Sequence, residues 1–291
     1  MTILDGKKTS LDIQKELEVK VKELTKSGAN PPHLAAVLVG DNGASRTYVN
    51  AKVKACQRVG FKSSLYQLNI NTTQKELLSL VHKLNNDDSV DGFIVQLPLP
   101  KHIDENQITL AINPAKDVDG FHPENVGKMT LGLPSFLPAT PNGIMEIIRR
   151  YNIETEGKNV VVIGRSNIVG TPVSILMSRK SNPGNATVTL AHSRTKNLKD
   201  ICLNADILIV AIGIPEFISS DMVKSNAVVI DVGIHRIEDS SKKSGFKLLG
   251  DVKFDEVSKK CSFITPVPGG VGPMTIASLL MNTYLASYGN K

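Results

Sequence analysis

The segment from Lys158 to Pro172 constrains the fold of this chain more than any other stretch. Four consecutive apolar residues, Val160 to Ile163, predict a strand that is buried on both faces, as in a parallel sheet. The strand ends at Gly164, and an apolar segment with helical periodicity follows it. This order of strand, glycine turn and helix is typical of a unit that binds a dinucleotide.

The glycine turn itself departs from the usual fingerprint. Gly164, Ser166 and Gly170 form a G-x-S-x-x-x-G pattern instead of G-x-G-x-x-G. Small residues at 164 and 166 allow the backbone to approach a pyrophosphate, and the free amides at the helix start attract its negative charge. On this segment alone, a tight turn between any strand and any helix is an equally good interpretation.

The length and composition predict a globular protein with two domains. The chain has 291 residues, of which 41% are hydrophobic and 21% are charged. No apolar run reaches the roughly 20 residues that a membrane helix needs, and the first residues do not resemble a signal sequence. The three cysteines (Cys56, Cys202 and Cys261) lie far apart and show no metal-ligand or redox spacing. We therefore expect a cytoplasmic protein with buried free thiols.

The charge balance indicates the kind of partner. The formal net charge is +6, aromatic residues are few, and no nucleic-acid-binding motif is present. A mildly basic surface suits an anionic small molecule. We expect such a ligand, with no nucleic acid, no membrane and no metal as partners.

Strands and helices alternate in the first part of the chain. Periodicity predicts helices over 10–24, 45–59 and 73–84, and strands over 34–39, 61–70 and 90–95. Thr73 and Glu76 predict a capping box at the start of the third helix. The alternation favours a three-layer α/β domain with a parallel sheet.

A loop-rich stretch from Asn113 to Pro141 precedes a second series of elements. We predict a connecting helix over 143–151, then four buried strands over 160–163, 186–190, 206–210 and 227–231, a short strand over 247–251 and a final helix over 275–284. The predicted fold class is two three-layer α/β domains with a cleft between them, the second domain a Rossmann-like doubly wound sheet. The expected boundaries are 1–140 with 274–291 for the first domain and 141–273 for the second.

Tyr48 and Lys52 are the first candidates for chemistry. They lie one helical turn apart and share a face. The expected core stripe of this helix (Val49, Val53 and Cys56) places them on its flank, where a lysine can lie along an apolar wall. From spacing alone, a tyrosine packed beside a solvated lysine is the favoured interpretation.

Gln96 and Asp119 are the next candidates. Gln96 leaves the third strand at its carboxyl end, where open α/β sheets bind ligands. Asp117 and Asp119 lie two residues apart, but no further metal ligand follows at a useful spacing. Asp119 can accept hydrogen bonds from the nitrogen donors of a heterocycle, although a turn-capping role stays open for either carboxylate.

The residues after the second strand of the Rossmann-like domain bear on cofactor choice. NAD-selective units place an Asp or Glu there, whereas this chain has Ala-His-Ser-Arg at 191–194. Arg165 and Ser193 can instead bind a 2′-phosphate, so the sequence predicts NADP. Arg194 is either a second cation for that phosphate or a solvated side chain.

Five motifs together resemble one family. They are Tyr48-Val-Asn-Ala-Lys52, Asp91-Gly-Phe-Ile-Val-Gln96-Leu-Pro-Leu-Pro, Lys116-Asp-Val-Asp119-Gly, Gly164-Arg-Ser-Asn-Ile-Val-Gly170-Thr-Pro and Pro266-Val-Pro-Gly-Gly-Val-Gly-Pro-Met-Thr275. The family is the bifunctional 5,10-methylenetetrahydrofolate dehydrogenase/5,10-methenyltetrahydrofolate cyclohydrolase, and the match runs in order over nearly the whole chain. The resemblance implies a homodimer that oxidises methylenetetrahydrofolate with NADP and hydrolyses the product to 10-formyltetrahydrofolate, in the one-carbon metabolism that supplies purine biosynthesis.

The resemblance also implies residue roles. Tyr48 would stack on the folate, Lys52 would be the general acid/base, Gln96 would hydrogen-bond Lys52, and Asp119 would bind the pterin. Further substrate-binding positions would be Val95 and Leu97 in the first domain. In the loop over 266–273 they would be Pro268, Gly269, Gly270, Gly272 and Pro273. The cofactor-binding positions would be Gly164, Arg165, Ser166, Ile168, Gly170, Ser193 and Ile234. The loop at 266–273 could instead be mainly an interdomain hinge.

Three alternatives remain open at this point. The chain could be an NAD-preferring or monofunctional member of the same family. It could be a dehydrogenase of the shikimate type, which also pairs a lysine with an aspartate, although that would explain neither Tyr48 nor the Pro-Val-Pro-Gly-Gly loop. It could also be a non-enzymatic dinucleotide sensor or scaffold, which the presence of Lys52, Gln96 and Asp119 disfavours.

Overall fold

The computed structural model describes residues 1–242 and 245–288, and the chain divides into two compact units. The first, here called the three-stranded unit, comprises Leu11–Ala139 and Ile276–Lys291. The second, the six-stranded unit, comprises Met1–Ser10 and Thr140–Thr275. Among the described residues, no helix has the length and apolar character that crossing a bilayer requires.

The first half of the chain alternates short strands with helices. In order, its elements are β1 (Thr2–Ile3), α1 (Gly6–Lys26), β2 (His33–Val39), α2 (Gly43–Val59), β3 (Lys62–Leu68), α3 (Gln74–Asn85), β4 (Gly92–Val95), α4 (Glu105–Ala111) and α5 (Pro123–Leu131). The second half continues with α6 (Ala139–Arg150), β5 (Asn159–Ile163), α7 (Gly170–Ser178), β6 (Thr187–Ala191), α8 (Leu198–Leu203), β7 (Ile207–Val210), β8 (Val228–Asp231), β9 (His235–Glu238), β10 (Phe246–Leu249), α9 (Phe254–Val257), β11 (Phe263–Ile264) and α10 (Val271–Tyr288), with a short 3-10 helix at Ser220–Met222.

The three-stranded sheet has the order β3-β2-β4, and all its strands are parallel. Every residue of the central strand β2 is buried, as its apolar run predicted. The capping box of α3 is confirmed: Thr73 Oγ1 accepts from the Glu76 amide (3.2 Å), and Glu76 Oε2 accepts from the Thr73 amide (2.8 Å). Both bonds satisfy amides that the first turn of a helix leaves without partners.

The loop-rich stretch from Asn113 to Pro141 contains a helix that the sequence analysis missed. Helix α5 begins after His122, whose Nδ1 accepts from the Glu124 amide (3.1 Å), and Pro123 occupies its first position. It ends at Gly132, whose φ of 77° lies in the left-handed region. These are ordinary start and stop signals, so this part of the loop prediction was wrong although the sequence held the necessary information.

The six-stranded sheet has the order β1-β11-β8-β7-β5-β6, and all its strands are parallel. From strand β5 the chain moves outward to the edge strand β6 and then returns to β7 on the other side of β5. This change of direction is the topological switch point of a Rossmann-like fold, as predicted. One detail differs: β6 is an edge strand with mostly exposed or half-buried residues, not a fully buried strand.

The amino-terminal residues correct the predicted domain boundary. Strand β1 pairs with β11 through Thr2 and Phe263, so the first ten residues belong to the six-stranded unit. The sequence analysis had assigned them to the first domain, because a strand of two residues leaves no readable periodicity. At the other end, Ile276 onward belongs to the three-stranded unit, while residues 289–291 of the predicted boundary lie outside the described residues.

The predicted strand over 247–251 is part of a hairpin. Strand β10 pairs antiparallel with β9, and the two form a separate two-stranded sheet. The Arg236 guanidinium lies 3.6 Å from the centre of the Phe246 ring, a cation–π contact across the hairpin. Gly250 and Asp251 come after the strand and are not part of it.

Candidate active site

Helix α2 presents Lys52 to the interior of the three-stranded unit. The side chains of Val49 and Cys56 are fully buried, and Lys52 itself is only 9% exposed, whereas Val53 is half-buried. The buried stripe of the helix therefore includes Lys52, and its predicted position on the flank was wrong. Tyr48, one turn earlier, is half-buried on the same face.

Gln96 is the hydrogen-bond partner of Lys52. Parallel pairing of β2 with β4 continues past Val95, where the Gln96 amide donates to the Val37 carbonyl (2.9 Å). The Gln96 side chain donates through Nε2 to the Leu97 carbonyl (2.7 Å), which turns Oε1 toward Lys52. Lys52 Nζ donates to that oxygen at 3.1 Å. This is the contact that the family resemblance implied.

The neighbours of Lys52 stay protonated at neutral pH. Burial raises the pKa of the Cys56 thiol to about 12, and burial also raises the pKa of Tyr48 above its ordinary value. Neither the thiolate nor the phenolate is therefore available as a base. A neutral amide, that of Gln96, holds Lys52 in place.

The loop that carries Asp119 is fixed along β4. Phe93 pairs with Asp117 in an isolated parallel bridge, and the Phe93 amide donates to the Lys116 carbonyl (3.0 Å). Lys116 Nζ donates to the carbonyls of Leu84 (3.0 Å) and Asp87 (2.7 Å), so it binds the carboxyl end of α3. The loop that carries Asp119 is therefore bound to β4 on one side and to the end of α3 on the other.

Asp119 shares a small cavity with the end of β4. Val95, Leu97 and Phe121 line this cavity together with Asp117 and Asp119. The next turn is tight: Gly120 has φ = 72°, and a Cβ atom there would lie 2.6 Å from the backbone of Leu137. Asn282 of α10 donates to the carbonyls of Val118 (2.8 Å) and Leu137 (2.9 Å), which fixes both segments. The structure thus brings Asp119 beside the predicted substrate positions Val95 and Leu97.

Asp117 has the turn-capping role that the sequence left open. Its side chain is 2% exposed, and Oδ2 accepts from the His122 amide (2.7 Å) and from Asn125 Nδ2 (2.9 Å). Burial raises its pKa to about 6, with a smaller contribution from the charge of Asp119. Of the two carboxylates, Asp119 is the half-buried one and remains the candidate for ligand contact.

The glycine turn of the six-stranded unit depends on close packing. Gly164 has φ = 116°, and a Cβ atom there would lie 2.0 Å from the Ala211 carbonyl oxygen at the end of β7. A Cβ atom on Gly170 would lie 1.8 Å from the Gly164 carbonyl oxygen, so α7 approaches the strand closely. These are the first and last glycine roles of a dinucleotide turn. Between them, Ser166 Oγ accepts from the amides of Val169 (3.2 Å) and Gly170 (3.4 Å).

The residues around this turn fit an NADP 2′-phosphate. Ile163 pairs with Ala191 across β5 and β6, so Arg165 and Ser193 follow their strands at equivalent positions of the same sheet edge, and both are exposed. His192 and Arg194 occupy the neighbouring positions, where an NAD-selective unit would have a carboxylate. An exposed cation and a hydroxyl at this edge match the charge and hydrogen-bonding capacity of a phosphate.

Exposed isoleucines follow three strands at the same edge. Ile168 and Ile234, both predicted as cofactor positions, are exposed after β5 and β8. Ile214 is exposed after β7 and was not predicted. The sequence could have predicted Ile214 as a cofactor position, because the carboxyl ends of strands next to a switch point meet at the ligand site.

The segment over 266–273, which is a loop up to Gly270 and then the start of α10, packs against the start of α1. The Lys7 amide donates to the Gly269 carbonyl (2.9 Å), and Ser10 Oγ donates to the Pro273 carbonyl (2.9 Å). A Cβ atom on Gly6 would lie 1.8 Å from the Gly270 carbonyl oxygen, and a Cβ atom on Gly270 would lie 2.6 Å from the Pro266 carbonyl oxygen. Gly270 is therefore needed for packing within the chain. Pro268 is exposed, and the space around Gly272 is open.

Within residues 1–242 and 245–288, no group of three or more His, Cys, Asp or Glu side chains is arranged to hold a metal ion.

A parallel sheet with a buried lysine–amide pair, together with a Rossmann-like sheet with a dinucleotide turn, defines a nicotinamide-dinucleotide-dependent enzyme.

Comparison with known proteins identifies the family within this class. The chain matches the family models for tetrahydrofolate dehydrogenase/cyclohydrolase, with the catalytic domain over residues 4–119 and the NAD(P)-binding domain over residues 138–290. The bifunctional protein FolD of Cytophaga hutchinsonii is 66% identical over 287 residues, which is 99% of each chain. The chain belongs to the tetrahydrofolate dehydrogenase/cyclohydrolase family.

Solved structures agree with this assignment. The bifunctional FolD enzyme of Campylobacter jejuni is 52% identical, with a TM-score of 0.93 and 100% of both chains covered. The FolD of Trypanosoma brucei, solved with NADP cofactor and an inhibitor, is 38% identical, with a TM-score of 0.94 over 100% of this chain and 98% of that one. The predicted family, the two α/β domains with the Rossmann-like second domain, and the enzyme class are confirmed. The shikimate-type dehydrogenase and the non-enzymatic scaffold are ruled out.

The raised pKa of Asp117 predicts a pH dependence of stability. Its ordinary value is 3.8 and its folded value is about 6, so the folded chain binds the proton more tightly than the unfolded chain. The contribution of Asp117 to the free energy of unfolding should therefore fall as pH rises from about 4 to 6, by up to about 1.4 kcal/mol per pH unit. In urea unfolding across this range, Asp117→Asn, whose amide oxygen can still accept both bonds, should show a smaller fall than the parent by this amount. Asp231, whose pKa burial raises to about 7, contributes a fall of the same sign in both proteins.

Asp87→Asn is the control for this measurement. Asp87 is half-buried, and hydrogen bonds from Ser89 lower its pKa, so its pH dependence has the opposite sign. Parallel pH dependence in Asp117→Asn and the parent would contradict the prediction.

Proposed function

We propose that the three-stranded unit binds the folate and that Lys52 transfers the protons of the hydrolytic reaction, while the six-stranded unit binds NADP. The enzyme oxidises 5,10-methylenetetrahydrofolate to 5,10-methenyltetrahydrofolate and hydrolyses that product to 10-formyltetrahydrofolate. The predicted function and NADP cofactor are confirmed by the family and its relatives, and no observation favours an NAD-preferring or monofunctional member. The residue roles and their assignment to the two units are our inference from the site.

The oxidation needs positioning from the protein, with no protein nucleophile. A hydride leaves the methylene carbon of the folate, and the bound cofactor supplies the acceptor. Asp119 accepts hydrogen bonds from the pterin, and the half-buried ring of Tyr48 stacks on it. Val95 and Leu97 complete the substrate contacts within the three-stranded unit.

The hydrolysis needs a group that moves protons. Water adds to the cationic methenyl carbon and gives up a proton to the Lys52 amine. Lys52 then returns a proton to the ring nitrogen as the carbon–nitrogen bond breaks, and the net reaction releases one proton. The observation that carries this proposal is the buried lysine held by a neutral amide at 3.1 Å. Gln96 accepts a hydrogen bond from the ammonium and adds no charge that would have to be balanced.

Cofactor selectivity follows from the edge of the six-stranded sheet. Arg165 and Ser193 bind the 2′-phosphate, and the amides at the start of α7 bind the pyrophosphate. Ile168, Ile214 and Ile234 supply apolar contacts for the rings. Arg194 lies close to Ser193 in sequence and is a second candidate for the phosphate.

Two expectations remain proposals: the homodimer rests on the family resemblance, and the cytoplasmic location rests on the composition and the cysteine usage. We retain the homodimer as the proposed assembly and the cytoplasm as the proposed location. The substrate class, a folate, is supported by the family to which the chain belongs.

The variant Lys52→Met should separate the two activities. Methionine keeps most of the buried stem, so packing should change little, but the proton-transfer group is lost. We expect methenyltetrahydrofolate hydrolysis to fall to the spontaneous rate, a loss of at least about 100-fold, because general acid–base catalysis contributes 10²–10⁴-fold. NADP affinity should be unchanged and dehydrogenase turnover should remain measurable. Absorbance of the methenyl compound follows both reactions.

The matched control is Lys54→Met, an exposed lysine on the same helix, which should leave both activities at the parent level. Hydrolysis near the parent rate in Lys52→Met would show that the proton-transfer group lies elsewhere.

The variant Arg165→Ala should weaken NADP far more than NAD. Each charge-assisted hydrogen bond to the 2′-phosphate contributes about 1.5–3 kcal/mol, so the dissociation constant for NADP should rise by about 10- to 100-fold. Titration calorimetry with each cofactor measures this, and Arg179→Ala, at the other end of α7, is the control. Equal losses for NADP and NAD would show that Arg165 does not contact the 2′-phosphate.

A further inference from the structure

Two buried aspartates of the six-stranded unit have no role in the mechanism above. Asp231, the last residue of β8, is 3% exposed, and Asp251, which follows β10, is 0% exposed. Burying carboxylates costs several kcal/mol per ion unless other groups satisfy them. Backbone amides supply most of that compensation here.

Asp231 binds the segment that contains Asp251. Its Oδ1 accepts from the amides of Gly233 (2.9 Å) and Asp251 (2.9 Å), and its Oδ2 accepts from the amide of Val252 (3.0 Å). Both oxygens are thus used, and the Asp251 backbone is fixed relative to β8.

Asp251 in turn binds the segment after β7. Its Oδ2 accepts from the amides of Ile212 (2.8 Å) and Gly213 (2.9 Å). Its Oδ1 lies 2.7 Å from His235 Nε2, which donates to it in the Nε2–H tautomer. One carboxylate therefore connects the end of β7 with the start of β9.

Two glycines make room for the carboxylates in a reciprocal arrangement. A Cβ atom on Gly250 would lie 1.8 Å from Asp231 Oδ2, and a Cβ atom on Gly233 would lie 2.3 Å from Asp251 Oδ1. The sequences Asp231-Val-Gly233 and Gly250-Asp251-Val252 therefore form one unit, in which each aspartate covers the glycine of the other segment. We call the two aspartates and the two glycines the aspartate clasp.

The clasp lies at the edge where the cofactor would bind. Ile212 and Gly213 directly follow Ala211, whose carbonyl oxygen is the atom against which Gly164 of the dinucleotide turn packs. Strands β5 and β7 flank the switch point, and ligands of open α/β sheets bind outside the strand ends there. Gly233 directly precedes Ile234, a predicted cofactor position. The clasp thus fixes two of the backbone segments that border the site.

A purely structural contact would not need charge at this position. Burial raises the pKa of Asp231 to about 7, with the neighbouring charge of Asp251 adding to the shift, so the ionised pair is unfavourable. The pair lies beside the switch point, where its backbone contacts shape the binding edge.

We propose that Asp251 is a positioning residue for NADP binding, which holds the Ile212–Gly213 amides at the switch point, and that Asp231 holds Asp251 in place. This inference rests on the proposed role of the six-stranded unit as the NADP-binding domain. It predicts that loss of the clasp weakens cofactor binding and leaves hydrolysis in the three-stranded unit intact.

The test compares Asp251→Ala, Asp251→Asn and the control Asp206→Ala. In Asp251→Asn, the side-chain carbonyl oxygen can still accept hydrogen bonds from the Ile212 and Gly213 amides. The side-chain nitrogen can donate to His235 Nε2 when the imidazole carries its proton on Nδ1. This variant should therefore keep NADP binding. Asp206 is a carboxylate at the opposite end of β7, where it accepts from the Asn159 amide (2.9 Å). The readouts are the dissociation constant for NADP by calorimetry without folate, KM for NADP, kcat, and hydrolysis of methenyltetrahydrofolate without cofactor.

We expect Asp251→Ala to raise both the dissociation constant and KM for NADP by about tenfold, equivalent to about 1.4 kcal/mol. Hydrolysis, and kcat at saturating NADP, should stay near the parent values. Asp251→Asn and Asp206→Ala should bind NADP like the parent. If Asp251→Ala does not fold, Asp231→Asn is used in its place. The amide nitrogen of the new asparagine must face at least one of the three backbone amides that Asp231 binds, so the clasp is disturbed. Asp231→Asn should then also weaken NADP binding and leave hydrolysis unchanged.

Parental NADP binding in a folded Asp251→Ala or Asp231→Asn variant would overturn the proposal, and so would equal weakening in Asp206→Ala. Failure of the proposed function gives a different result, because the parent enzyme itself would then bind no NADP.

Discussion

Parallel pairing of neighbouring strands is the constraint on which both candidate sites depend. Because paired strands run in the same direction, their carboxyl ends meet at one edge of the sheet, and the residues that follow them lie together. The pairing of β2 with β4 places Gln96 where it meets Lys52. The pairing of β5 with β6 and β7 brings the glycine turn, Ser193 and the Ile212–Gly213 segment to one edge.

Buried polar groups then fix these edges. Lys52, Asp117 and Asp251 are each nine-tenths or more buried, and each has named hydrogen-bond partners within its own unit. The net gain from one hydrogen bond is about 0.5–1.5 kcal/mol, less than the several kcal/mol that burying a charge costs. If stability were the only requirement, apolar side chains at these three positions would be sufficient. The buried charges are therefore best explained by the geometry they impose on the Lys52 ammonium, the Asp119 turn and the edge of the cofactor site.

The sequence predicted the parts of the fold that follow local rules. The buried run of β5, the turn at Gly164 and the Thr73 capping box are each encoded within a few residues. Helix α5 was equally local and was missed. By contrast, β1 and β11 have two residues each and are stabilised by pairing across the chain, which no window of sequence reveals. The hydrogen-bond partner of Lys52 is Gln96, 44 residues away, and the packing role of Gly270 depends on Gly6.

The central claim is that Gln96 acts on hydrolysis through Lys52, which it holds in place for proton transfer. The rate of methenyltetrahydrofolate hydrolysis by Gln96→Leu tests it most directly, with Lys52→Met marking the spontaneous rate. If Gln96 acts through Lys52, hydrolysis by Gln96→Leu falls toward the Lys52→Met rate while dehydrogenase turnover stays measurable. Hydrolysis at the parent rate in Gln96→Leu would contradict the account.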